Sequence, residues 1–146
     1  MDTANSKQSD LDKRYIRMAS IWSENSYCQR RKVGALIVKD KMIISDGYNG
    51  TPSGFENVCE DDNNVTKPYV LHAEANAITK IARSNNSSDG ATMYVTASPC
   101  IECAKLIIQS GIHVAAEILL EDADCAIAGW GHLMIKFICL IPLKSP

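Results

Sequence analysis

The stretch "VLHAEANAITKIA", residues 70–82, sets His72 and Glu74 two positions apart where an Ala-rich helical pattern begins. Residues two apart on a helix face different ways, so this pair converges on one centre only if the helix starts at or between them. Further on, "SPCIECAKLIIQSG", residues 98–111, adds Cys100 and Cys103, which at i, i+3 share one helix face. One histidine and two thiolates make three of the four positions of a tetrahedral zinc site. That is the count of a catalytic site, which keeps its fourth position for water. The positive end of a helix also favours the thiolate form the metal requires.

Glu74 then reads as an acid/base rather than a ligand, taking a proton from zinc-bound water and passing it to a leaving group. A neutral imidazole with two thiolates cancels the charge of Zn²⁺, which weakens the acidification of bound water and makes a nearby base more necessary. Each half has a simpler reading alone. The C-x-x-C could be a redox pair or half a structural zinc site, and a histidine at a helix start is often only hydrogen-bonded. Together, H-x-E followed by P-C-x-x-C is the pattern of zinc-dependent nucleobase deaminases.

The elements that must carry these residues follow from periodicity. Leu11, Tyr15, Met18 and Trp22 form one apolar face, predicting a helix to about Asn25 with Ser9 or Asp10 as cap and residues 1–10 as a flexible tail. "VGALIV" (33–38) and "MIISDGY" (42–48) predict two strands joined by the tight "KDK" turn of an antiparallel hairpin. Residues 49–70, rich in Gly, Pro, Asn and Asp, form a long loop of the kind that carries function. A second helix is expected over 73–84, a third strand over 91–96, and a third helix over 100–110 with Pro99 at its first position and Gly111 past its end. "IHVAAEIL" (112–119) reads as a fourth strand, "EDADCAIAGW" (121–130) as a helix and "IKFICLI" (135–141) as a fifth strand. The pattern predicts an α/β fold, a three-layer α/β/α sandwich around a mixed, about five-stranded sheet, with residues 11–146 as one domain.

Composition agrees with a small-molecule enzyme. The chain has 146 residues, 46% of them hydrophobic, enough for one core. Its net charge of −2 is far from the basic balance of a protein that holds long nucleic acid. The polar start "MDTANSKQSD" has no apolar signal core and no run reaches membrane-spanning length, so a cytoplasmic location is expected. In a reducing compartment the six cysteines turn toward metal binding or catalysis rather than disulfides.

The stretches "RRKVGALIVKDKMIISDGYNGTPSGFENVCE", "HAEANAI" and "TMYVTASPCIECAKLIIQSGI" together resemble the zinc-dependent cytidine and deoxycytidylate deaminase superfamily, most closely its dCMP deaminases, over about residues 11–112. The resemblance implies hydrolytic deamination at C4 of cytosine, with His72, Cys100 and Cys103 as zinc ligands and Glu74 protonating N3 and then the amine. It gives Asn49 a contact near the sugar, although Asn-Gly is also a common turn pair. The Ala73 amide would meet the pyrimidine carbonyl, and the Ser98 carbonyl the amino group. For the 5′-phosphate the candidates are Arg30, Arg31 and Lys32, with Asn76 and Thr51 as neutral donors; "EDD" at 60–62 is expected to face water.

By the same resemblance, some relatives hold a second, structural zinc near the positions of Cys28 and Cys59, but Val70 stands where a further cysteine often lies, so only one zinc is expected. After about residue 112 the chain departs from the family's ending and is atypical. Homo-oligomers, dimers or hexamers, are the family's usual assemblies; a nucleotide is the expected partner, with no membrane and no nucleic acid. The competing readings are a deaminase of another cytosine or adenine substrate, a nucleoside or tRNA, and a catalytically silent zinc-stabilised module.

Overall fold

The computed structural model describes residues 2–112 and 114–116. Its elements are α1 (Asp2–Ser23), β1 (Gly34–Lys39), β2 (Met42–Tyr48), α2 (Ala73–Ala82), β3 (Thr92–Val95), α3 (Ile101–Gln109) and β4 (Val114–Ala116). The four strands form one sheet in the order β2-β1-β3-β4. β1 runs antiparallel to both β2 and β3, while β3 and β4 are parallel, so the sheet is mixed as expected. The predicted helix at 121–130 and the fifth strand at 135–141 lie outside the described residues.

The central strand explains the layering. Side chains alternate across a strand, so β1, buried nearly throughout, must supply two cores. Ala35 and Ile37 join Met93 and Val95 of β3 under α2 and α3, with Ala77, Ile81 and Ile107. Val38 and Tyr94 point the other way and meet Tyr15 and Ile16 of α1. Tyr94 also donates a 2.6 Å hydrogen bond to Asp12, which pins α1 to that face. The β1–β2 turn is Asp40-Lys41, both at positive φ (50° and 61°), the backbone of a two-residue hairpin turn whose twist matches its strands.

Three local expectations change. α1 begins at Asp2, so most of the stretch expected as a tail is helical and neither Ser9 nor Asp10 is a cap. Cys100, not Pro99, stands at the entry to α3: it is the N-cap, and Pro99 precedes it. Cys28 and Cys59 are joined as a disulfide across 31 residues of sequence, tying the segment after α1 to the long loop before α2. Cysteine usage there is structural, which the expectation of a reducing compartment did not anticipate.

Candidate active site

Two helix starts converge at the end of β3. α2 is aimed by its contact with β2: Gly47 has no side chain, and a Cβ there would overlap the Ala73 carbonyl and come within 2.7 Å of the Ala77 nitrogen. Ser45 Oγ, buried, donates to the Ala77 carbonyl at 2.7 Å, and Asn76 Nδ2 donates to the Tyr48 carbonyl at 2.9 Å. Just before the helix, Gly50 and Leu71 exchange two backbone hydrogen bonds, of 3.1 and 2.8 Å. These contacts fix His72 as the N-cap of α2, in extended conformation, with Glu74 in the first turn. The helix therefore begins between ligand and acid, the one arrangement that lets residues two apart face a common centre.

On the other side Cys100 caps α3, and its Sγ accepts a 3.5 Å hydrogen bond from the Cys103 amide. His72 Nδ1 lies 3.4 Å from Cys100 Sγ and 3.4 Å from Cys103 Sγ. Bonds of about 2.3 Å to sulfur and about 2.0 Å to nitrogen, set tetrahedrally, separate such donors by roughly 3.5 Å. The donor spacing thus fits zinc, bound through Nδ1. All three ligand atoms lie within 4.8 Å of one another.

Electrostatics point the same way. Burial pushes the Glu74 carboxyl above its ordinary range, offset in part by its own backbone amide, His72, Cys103 and Arg31. Burial, reinforced by the nearby Glu74 and Cys100, pushes the Cys103 thiol well above its usual value. Glu74 and Cys103, buried side by side, are each disfavoured as anions, and a divalent cation beside them relieves that penalty. Donor chemistry and donor spacing both fit Zn²⁺.

Beside this cluster opens a cavity of about 510 Å³, lined by His72, Ala73, Glu74, Ser98 and Cys100, by Asn49 and Val33, and by Arg30, Arg31, Glu60 and Thr66. Residues 9–116 match the cytidine and deoxycytidylate deaminase zinc-binding region. The chain belongs to the cytidine and deoxycytidylate deaminase family. A relative from Enterobacteria phage T4, deoxycytidylate deaminase, is 36% identical, with 82% of each chain covered. The human deoxycytidylate deaminase is 40% identical over 67% of this chain and 58% of its own. The crystal structure of dCMP deaminase from the cyanophage S-TIM5 in complex with dCMP and dUMP superposes with a TM-score of 0.69 at 46% identity, covering 70% of this chain and 76% of that one.

Within this family framework the expected substrate contacts divide. Ala73, Ser98, Asn49, Arg30 and Arg31 stand at the cavity. Lys32 is exposed and outside its lining. Thr51 belongs to a neighbouring cavity of about 330 Å³ with Tyr27, Tyr48 and Phe55, where its Oγ1 donates to the Glu56 carbonyl. Asn76 is absent from the lining and holds β2 instead. Asn49 has a structural task as well: Oδ1 accepts from the Val33 amide and Nδ2 donates to the Arg31 carbonyl, both at 2.8 Å. Glu60, expected to face water, is half-buried and lines the cavity. The clue was the cysteine pair, since a Cys28–Cys59 bond brings the following residues, Gln29 and Glu60, together.

Proposed function

We propose that this chain is a zinc-dependent hydrolytic deaminase that converts dCMP and water to dUMP and ammonia. The observation that carries the reading is the convergence of a buried Glu74 with the His72, Cys100 and Cys103 donors on a cavity that also holds two arginines. The relatives named deoxycytidylate deaminase support the same substrate. His72, Cys100 and Cys103 would hold the zinc, which when bound supplies Lewis-acid polarisation of the attacking water.

The chain's own groups do the rest. Glu74 accepts a proton as water attacks C4, delivers one to N3, and moves one to the departing amine. A carboxyl raised above its ordinary value by burial is suited to both taking and giving protons. Ala73 opens α2, so its amide has no partner within the helix and is available to the pyrimidine carbonyl oxygen. The Ser98 carbonyl accepts from the amino group of the substrate. Asn49 retains one amide hydrogen beyond its bond to Arg31, which suits a sugar hydroxyl. Arg30 and Arg31 supply the cations for a 5′-phosphate, and a single monophosphate needs no more than these.

A silent zinc module would not need Glu74, whose burial works against an ionised carboxylate. Self-association is part of the reading: Ile101 and Ile108, seven residues apart on α3, are exposed at 45% and 43%, as suits a helix that packs on a second copy. Light scattering on purified protein should give a multiple of the chain mass. Ultraviolet-monitored deamination of dCMP, CMP, deoxycytidine and dCTP tests the substrate. Preference for dCMP is expected; equal or better turnover of deoxycytidine would remove the phosphate from the reading.

A further inference from the structure

Glu60 presents a conflict that the proposed substrate sharpens. A carboxylate lines the same cavity as Arg30 and Arg31, where a phosphate dianion would be repelled by it. Its bonding shows a different task. Glu60 Oε1 accepts hydrogen bonds from the backbone amides of Gln29, at 3.0 Å, and Arg30, at 3.1 Å. Two adjacent amides on one carboxylate oxygen are charge-assisted contacts, stronger than neutral ones, and they fix the backbone from which the Arg30 side chain leaves. That segment lies in neither helix nor strand, so no ladder orients it.

A second anchor acts on the side chain. Arg30 Nη1 reaches Thr66 Oγ1 at 3.4 Å, and Thr66 is paired with Glu60 in an isolated antiparallel bridge. The bridge is held in turn by the Lys67 amide, which donates to the Cys59 carbonyl at 2.8 Å, next to the disulfide. On the far side, Asn49 holds the carbonyl of Arg31. Both arginines thus leave a backbone clamped from two directions. An arginine side chain gives up much rotamer freedom on binding an anion, and holding it in place beforehand removes part of that penalty.

We propose that Glu60 is a positioning residue for phosphate recognition: it orders residues 29–30 so that Arg30 and Arg31 meet the 5′-phosphate, and it acts through them rather than on the substrate. This rests on the reading that these arginines take the phosphate. Glu60→Ala should raise KM for dCMP, and the calorimetric Kd for dUMP, about tenfold, the effect of losing one or two charge-assisted bonds. The kcat should stay within about twofold, and the Kd for deoxyuridine should not move. Glu60→Gln, whose amide oxygen can still accept from both backbone amides, should recover to within about threefold of wild type. Thr66→Val removes only the side-chain anchor and should show the same phosphate-only pattern more weakly, which keeps the test open if Glu60→Ala folds poorly.

If Glu60→Ala and Glu60→Gln both tighten dUMP, the carboxylate merely repels phosphate and the proposal is overturned. Equal losses for dUMP and deoxyuridine would overturn it as well, showing a general structural role. The parent reading fails differently: wild type, or an Arg30→Gln, Arg31→Gln double variant compared with it, would then show no preference for dUMP over deoxyuridine that depends on these arginines, and the positioning role would fall with it.

Discussion

Gly47→Ala is a one-methyl change that should act on catalysis without touching a reacting group. Gly47 sits on β2 opposite Ala35, with α2 directly above it. The added Cβ would overlap the Ala73 carbonyl and lie 2.7 Å from the Ala77 nitrogen and 3.1 Å from the Ala77 Cβ, where ordinary contact begins at 3.4 Å. Relief requires the start of α2 to move outward by roughly 0.7 Å or more, because both opposing groups are helix backbone and have no rotamer to change. Overpacking of this kind costs about 1–3 kcal/mol. The same movement carries His72 and Glu74 away from Cys100 and Cys103, and misplacement near 1 Å lowers catalytic efficiency by up to about 10²-fold. Urea unfolding and kcat/KM for dCMP measure the two effects. Gly50→Ala is the stability control: its nearest neighbour would be Tyr48 at 4.0 Å, so a change within about 0.5 kcal/mol is expected. Wild-type stability together with unchanged kcat/KM in Gly47→Ala would show that the β2–α2 contact does not set the site.

Three other substitutions probe separate links. Glu74→Gln should retain zinc and lower kcat by about 10²–10⁴-fold, the usual share of a general acid/base, as metal analysis and initial rates will show. In zinc-free protein the raised Glu74 carboxyl favours folding most at low pH and loses that contribution as pH rises through its raised value, so denaturation midpoints of Glu74→Gln should fall less than wild type over that rise. Cys103→Ala should bind less than about a tenth of the wild-type zinc and lose the zinc dependence of its thermal midpoint. Tyr94→Phe removes the 2.6 Å bond to Asp12 and should destabilise by about 1–2 kcal/mol at neutral pH, read by urea unfolding. Burial, then Asp12, holds the Tyr94 hydroxyl above its ordinary range, so folding gains from its proton up to about pH 10, where unfolded tyrosine ionises, and loses that gain at higher pH. Tyr94→Phe should therefore show a shallower alkaline decline.

The convergence of His72, Cys100 and Cys103 beside Glu74 was legible because local rules constrain it: H-x-E can share a centre only across a helix start, and C-x-x-C keeps its two sulfurs close. The strands followed from short β-rich apolar runs bounded by turn residues, and the pleat then puts Ile37 and Val38 into different cores. The start of α1 was hidden because its first turns are polar and have no apolar face to declare them. Glu60 and Asn49 were misread or half-read for another reason. Their roles are set by backbone amides and carbonyls of residues 29–33, remote in sequence, and no periodicity encodes a side chain bonding to a distant main chain. Thr51 and Asn76, offered as phosphate donors, bond to the Glu56 and Tyr48 carbonyls for the same reason.

The decisive measurement is a zinc titration of metal-free protein while dUMP formation from dCMP is followed. Activity should rise in proportion to bound zinc and saturate at one equivalent per chain. Turnover independent of zinc, or none with one equivalent bound, would contradict a site built from His72, Glu74, Cys100 and Cys103.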